Sequence, residues 1–305
     1  MKNTLLFLTT LLFCACGNTS SIDKNATKSE KTTTNTPLSP EFNAYWYAGK
    51  AELCRYELEQ ARYGEMRNGN AVLVFVTEPF SKSKQVKLDD ASANPSDAVQ
   101  ILKCNFSKKF DTGIYPYSVM TSVFTPIDVS QKTVKITSSM QEWCGHVFTQ
   151  LNLKEQQYTA QIFSYFESEG DQKTELGNAI SEDGLWTTLR INPAQLPTGK
   201  INVIPSLSYL RFSHKALKGY DAIASISTKT FNQKPVNEYF IHYDNRDLKI
   251  YFDPKPPYII EGWEETYNDF GKPSTTRGTL KKLLLSDYWS HNSHTDDAMR
   301  EAFYK

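Results

Sequence analysis

The stretch whose reading decides the fold is Glu52–Phe80, ELCRYELEQARYGEMRNGNAVLVFVTEPF. It is rich in β-branched and aromatic residues and reads as one long hairpin. Arg67-Asn68-Gly69-Asn70 offers residues that tolerate positive φ and is expected to form the turn, with Val72 to Val76 as a buried strand after it.

The same grammar continues outward. AVQILKCNFSKKF, YPYSVMTSVFTPID, KTVKITSSM, EWCGHVFTQLNL and QQYTAQIFSYFES read as further strands, with ASANPSD as a loop. In KTVKITS, Val134 and Ile136 point one way and Lys135 and Thr137 the other, as when one sheet face is solvated. GDQKTELGNAISEDG interrupts the run, and DGLWTTLRINPAQLPTG is expected to hold one short helix or an irregular crossing stopped by Pro193 and Pro197. Strands resume in INVIPSLSYLRF, DAIASISTKTF, NEYFIHYD, LKIYFD, PYIIEGWEETYN and TRGTLKKLLLSDYW, with Leu248, Ile250 and Phe252 alternating cleanly against Lys249, Tyr251 and Asp253. Near the end, Ser293 stands three residues before Asp296, a helix-start signal. No fixed-period repeat appears, which argues against a propeller or β-helix. The expectation is a mainly β protein: a large curved antiparallel sheet or half-barrel with few short helices, undivided or split into two β-rich halves near 170–184.

The amino terminus carries an address. Lys2 precedes an apolar run, Leu5 to Phe13, that has the length of a signal-peptide core and is too short to span a bilayer. A signal peptidase needs a small residue before its cut; Ala15 before Cys16 supplies one and Phe13 before Cys14 does not. Residues 1–15 are thus expected to be removed, leaving Cys16 first. Residues 16–41 contain almost nothing apolar between Gly17 and Leu38 and read as a disordered tether, with 42–305 as the folded β-rich envelope domain.

The balance of 34 basic and 34 acidic residues argues against a nucleic-acid binder, which would carry a basic excess. No second long apolar run exists, so anchoring would rest on Cys16 alone. In the folded part stand Cys54, Cys104 and Cys144, whose spacings match no zinc pattern. They read either as buried small apolar side chains or as one disulfide with a thiol left over.

Cys16 after Leu12-Phe13-Cys14-Ala15 resembles the lipobox of bacterial lipoproteins, whose cysteine receives a diacylglyceryl group and a further acyl chain such as palmitate. Several chains on one residue suffice for stable anchoring, at about 0.8 kcal/mol per buried methylene. The strings EFNAYWYAGKAELCRYELEQARYGEMRNGNAVLVFVTEPF, KQVKLDD and MQEWCGHVFTQLNL resemble a group of exported Bacteroidota lipoproteins of about this length, often carrying the label "septum formation inhibitor Maf". True Maf proteins are cytoplasmic nucleotide pyrophosphatases with a Ser-x-Ser-Pro-Arg-Arg segment. Here Pro37-Leu38-Ser39-Pro40-Glu41-Phe42 places Glu41 and Phe42 where the two arginines belong, so the septum-formation role implied by the label has no support in these residues. The lipoprotein resemblance implies an outer-membrane location. No acidic cluster follows Cys16 of the kind that resembles a surface-export signal, which points to the periplasmic face.

Three pairs of residues are candidates for chemistry. Cys144 and His146 flank Gly145, and on a regular strand they would share a face but sit too far apart for the imidazole to activate the thiol; packing around Trp143 is the plainer expectation. Glu261 and Glu264, near Trp263 and Tyr267, have the composition of a sugar-binding face, yet glycosidase carboxylates must oppose each other across a cleft. His291 and His294 are three apart without an obvious third metal ligand. No nucleophile elbow, Walker loop or dinucleotide fingerprint is present. The expectation is a non-enzymatic binding or assembly module for a lipid, glycan or protein partner, with no cofactor and no metal; an envelope hydrolase is the alternative.

Overall fold

The computed structural model describes residues 39–128 and 130–305. The signal segment, Cys16 and nearly all of the tether lie outside the described residues. Helix α1 (Pro40–Trp46) opens the folded part: the Ser39 hydroxyl accepts the Phe42 N–H at 3.1 Å, Pro40 takes the first position where no donor is missed, and Trp46 packs on Phe75.

Fifteen strands follow: β1 (Ala51–Arg62), β2 (Glu65–Ser81), β3 (Ala98–Thr112), β4 (Tyr115–Pro126), β5 (Lys135–Glu142), β6 (Gly145–Lys154), β7 (Gln157–Ser164), β8 (Gln172–Glu175), β9 (Ile180–Ser181), β10 (Gly199–Ile204), β11 (Tyr220–Phe231), β12 (Lys234–Tyr243), β13 (Arg246–Phe252), β14 (Ile260–Asp269) and β15 (Lys272–Ser286). Helix α2 (Glu182–Ile191) follows β9, α3 (Leu207–Ser213) follows β10, and α4 (Asp297–Tyr304) ends the chain. All strands join one sheet in the order β8-β7-β6-β5-β4-β3-β2-β1-β15-β14-β13-β12-β11-β10-β9. The chain meanders outward from β1 to one edge, crosses through α2, and meanders back until β15 pairs with β1. That central ladder merges the halves on either side of 170–184 into one sheet.

The two sheet edges are consecutive in the chain. β8 and β9 are separated by residues 176–179 alone, which limits Glu175 and Ile180 to about 18 Å apart. The sheet therefore curls almost to closure while remaining open at this seam. Across the seam, Arg211 of α3 reaches Glu169 at 3.1 Å and lies over the Phe166 ring; Lys132, between β4 and β5, ties the linker to the β6–β7 turn by donating to the carbonyls of Asn178 and Gln156.

The curl is filled by α2, of which only Thr188 is not fully buried. Trp186 packs against Phe106 of β3 and Trp263 of β14, and Trp263 meets Tyr56 of β1 with ring centroids 4.9 Å apart. Gly278 of β15 makes this possible, because a Cβ there would lie 2.1 Å from the Trp263 ring. α3 adds Tyr209, Leu210 and Phe212 to the same core. Leu248, Ile250 and Phe252 all face inward, as their alternation requires.

Three local expectations are corrected. The β1–β2 turn is Tyr63-Gly64, with φ of 59° and 72°, while Arg67–Asn70 lie within β2. Gly69 serves the interior instead: a Cβ there would meet Phe110 at 2.8 Å and the Lys109 carbonyl at 2.3 Å. SLSYLRF is helical as α3, because burying Leu207, Leu210 and Phe212 together over the top of the core outweighs the strand character of the sequence. Cys54 and Cys104 are buried free thiols, but Cys144 is exposed and unpaired. The Ser293–Asp296 signal is realised as a reciprocal capping box before α4.

Candidate functional site

Because consecutive strands run in opposite directions, the turns after β1, β3, β5, β7 and β14 all fall at one end of the sheet. Each presents an apolar side chain. Tyr63 is at the first, and Ile114, Trp143, Tyr165 and Phe270 at the others are 84%, 68%, 71% and 81% exposed. The opposite end carries the two-residue turns Glu155-Gln156 and Asn232-Gln233, the longer connections after β2, β4 and β13, and the exposed Tyr288 and Trp289 that follow β15.

The tips form a connected band. Phe270 packs edge-on against Tyr63, the Gly64 N–H donates to Asp269 at 2.6 Å, and the Tyr63 and Tyr117 hydroxyls are 2.7 Å apart. Tyr117 neighbours Tyr115, which neighbours Trp143 at 6.3 Å. One turn further, the Tyr165 ring lies over Gly145, where a Cβ would be only 2.5 Å from it, and Tyr165 meets Phe166 edge-on. The Arg62 guanidinium supports the band from beneath, stacked on Tyr63 at 4.2 Å and near Phe212 and Tyr117, and donates to the Phe212 carbonyl at 3.0 Å. The band is thereby fixed to α3 and the core.

Beneath it lies a buried ionic layer. Arg246 donates to both Glu182 oxygens at 2.6–2.7 Å and to Glu265 at 2.9 Å, and Tyr243 donates to Glu182 at 2.8 Å. Burial would raise the Glu265 carboxyl, but the Arg246 and Lys108 charges hold it below its usual value. Lys108, facing the same groups, is lowered by burial despite the nearby carboxylates. Asp183 is raised to about 6 by burial and by the neighbouring Glu182 charge, against the opposing hydrogen bond it accepts from the Leu207 N–H at 3.0 Å. Arg246, Glu182, Glu265, Tyr243 and Asp183 are thus partnered within the protein and bind the helices to the sheet wall, while the Lys108 ammonium lies over the Phe106 ring.

The residues singled out from sequence do not converge. Cys144 sits in the β5–β6 turn, not on a strand, and its N–H donates to Glu142 at 2.7 Å; the adjacent carboxylate raises the thiol, the opposite of nucleophile activation. His146 is exposed at the start of β6. Trp143 is a tip and not a core anchor, and the Tyr165 ring leaves no room for a side chain at Gly145. Glu261 pairs with Lys234 at 3.0 Å, and Glu264 pairs with Arg277 at 2.9 Å and accepts from Tyr251 at 3.2 Å. Both belong to ion pairs on one side of β14, whereas Trp263, Glu265 and Tyr267 face the core. His291 lies between Asp287 and Asp296, and His294 is fully exposed. Among the described residues no group of three or more His, Cys, Asp or Glu could hold a metal, and no helix is long and apolar enough to cross a membrane.

Sequence reasoning passed over the tips. Their signal was an apolar residue beside a turn glycine, repeated in Tyr63-Gly64, Gly113-Ile114 and Phe270-Gly271. In comparisons with known proteins, no family model, no curated protein and no solved structure matches the chain.

Proposed function

We propose that this chain is a non-enzymatic module of the cell envelope, exported by residues 1–15, held to the outer membrane by an acylated Cys16 and the tether after it, and facing the periplasm. It works by contact, through the aromatic band, with a lipid, glycan or protein partner. The carrying observation is that band: exposed side chains at five adjacent turns, Phe270 packed on Tyr63, Trp143 linked to Tyr63 through Tyr115 and Tyr117, and Tyr63 braced by Arg62. Large exposed apolar patches on folded proteins mark interaction surfaces. The interior supports contact over enclosure, since α2 and α3 occupy the space where a half-barrel would hold an acyl chain. Against a hydrolase stands the dispersal of Cys144, Glu261 and Glu264.

The test is complementation of a strain lacking the gene. Full-length protein carrying Ile114→Ser, Trp143→Ser and Phe270→Ser together is expected to accumulate normally and to lose its role. A Glu155→Ala, Gln156→Ala protein, altered at the other end, is expected to retain it. Full complementation by the triple variant would overturn the proposal.

A further inference from the structure

The geometry points to the surface that the band meets: we infer that the tips of Tyr63, Ile114, Trp143, Tyr165 and Phe270 enter the headgroup–acyl boundary of a phospholipid bilayer with little net charge. This rests on the contact reading above and names its partner.

Shape is the first reason. The band follows the rim of a curled sheet from β14 round to β7, eight strand spacings or about 38 Å, yet it is only about one side chain deep. A globular partner would have to bury the polar turn backbone on both flanks to reach so long and narrow a strip. An interface that is laterally fluid and wets polar groups beside apolar ones accepts a rim presented end-on.

Composition is the second reason. Tyr and Trp put an apolar ring at modest depth while leaving a polar atom hydrated, and aromatic residues gather at membrane–water boundaries of helical proteins and around the ends of barrels. Ile114 and Phe270, the two most exposed, have no polar atom in the side chain and stand foremost in their turns.

Charge selects the lipid. Outside the Arg67–Glu65 pair, 2.6 Å long, the exposed charges within a few residues of the tips are Asp111, Glu167 and Asp171 against Lys272, with Lys109 and Lys173 further along β3 and β8. The surplus closest to the tips is acidic; it repels an anionic membrane surface and gains nothing from one.

The experiment uses full-length protein reconstituted into phosphatidylcholine vesicles. Trp46, Trp186 and Trp263 are buried and Trp289 is the other exposed indole, so a Trp289→Phe background compared with Trp143→Phe/Trp289→Phe isolates Trp143. Trp143 emission is expected to shift to the blue, to lose quenching by aqueous iodide and to gain quenching by brominated acyl chains. Adding phosphatidylglycerol is expected to weaken all three changes. Trp143 emission that stays water-like in vesicle-bound protein, or that shifts further with phosphatidylglycerol, would overturn the bilayer as partner. Complementation failing in the tip variant under that result would leave the contact reading standing with a protein or glycan in the bilayer's place.

Discussion

Glu52 and Arg190, 138 residues apart in the chain, form an ion pair with no solvent on either side chain. It joins β1, the centre of the sheet, to the last turn of α2, with the guanidinium also seated over Phe75 and Trp46 and donating to the Pro257 carbonyl at 3.0 Å. Burial alone would raise the Glu52 carboxyl; the Arg190 charge and hydrogen bonds, with those from Tyr45 and Cys54, hold it below its usual value.

Arg190→Met strands Glu52 as a buried, uncompensated charge and is expected to cost about 3–5 kcal/mol, read from denaturant midpoints. Glu52→Gln/Arg190→Met is expected to recover much of that loss. Because the folded carboxyl is depressed, its contribution is present in full above its ordinary pKa and fades as pH falls through the folded value. The single variant should accordingly be least impaired in acid. A single variant as stable as wild type at neutral pH would show that the helix is not held this way.

Asp183 has the opposite sign. Its carboxyl titrates near 6 in the folded protein and near 3.9 when unfolded, so the folded state favours the protonated form and stability from this group is lost as pH rises from about 4 to 6. Asp183→Asn keeps an acceptor for the Leu207 N–H and removes the titration. It is expected to raise stability at pH 7.5 by up to about 3 kcal/mol and to change little at pH 4. Thermal unfolding at the two pH values checks this, and equal effects at both would contradict it.

Cys144 is expected to react with a disulfide reagent in the native protein while Cys54 and Cys104 wait for unfolding. Glu142→Gln removes the carboxylate that raises the thiol and should speed the reaction several-fold near neutral pH, as the thiolate fraction grows. Stopped-flow labelling measures this rate; no acceleration would mean that Glu142 does not face the sulfur.

Strand identity was legible where burial follows period two, as in Leu248, Ile250 and Phe252, and the hairpin of β1 and β2 was legible as a whole. Its turn was not. Asn68-Gly69 carries the stronger turn signal, but Gly69 is needed where Phe110 crosses, and Tyr63 accepts positive φ to form the turn. The core helix was legible only as a short helix or crossing: Glu182, Asp183 and Arg190 are the residues of a solvent-facing surface until their partners arrive from Arg246, Leu207 and Glu52, far away in sequence. The band was hidden for a related reason. Its members are single residues on five turns, and only the strand order makes them neighbours.

The most direct test of the contact account is photo-crosslinking in the intact envelope, with a photoreactive residue placed at Ile114 or Phe270 on the band and at Gln156 or Gln233 on the opposite end. The account expects adducts from 114 and 270 and none above background from 156 and 233. Equal yields from both ends, or adducts from 156 and 233 alone, would contradict it.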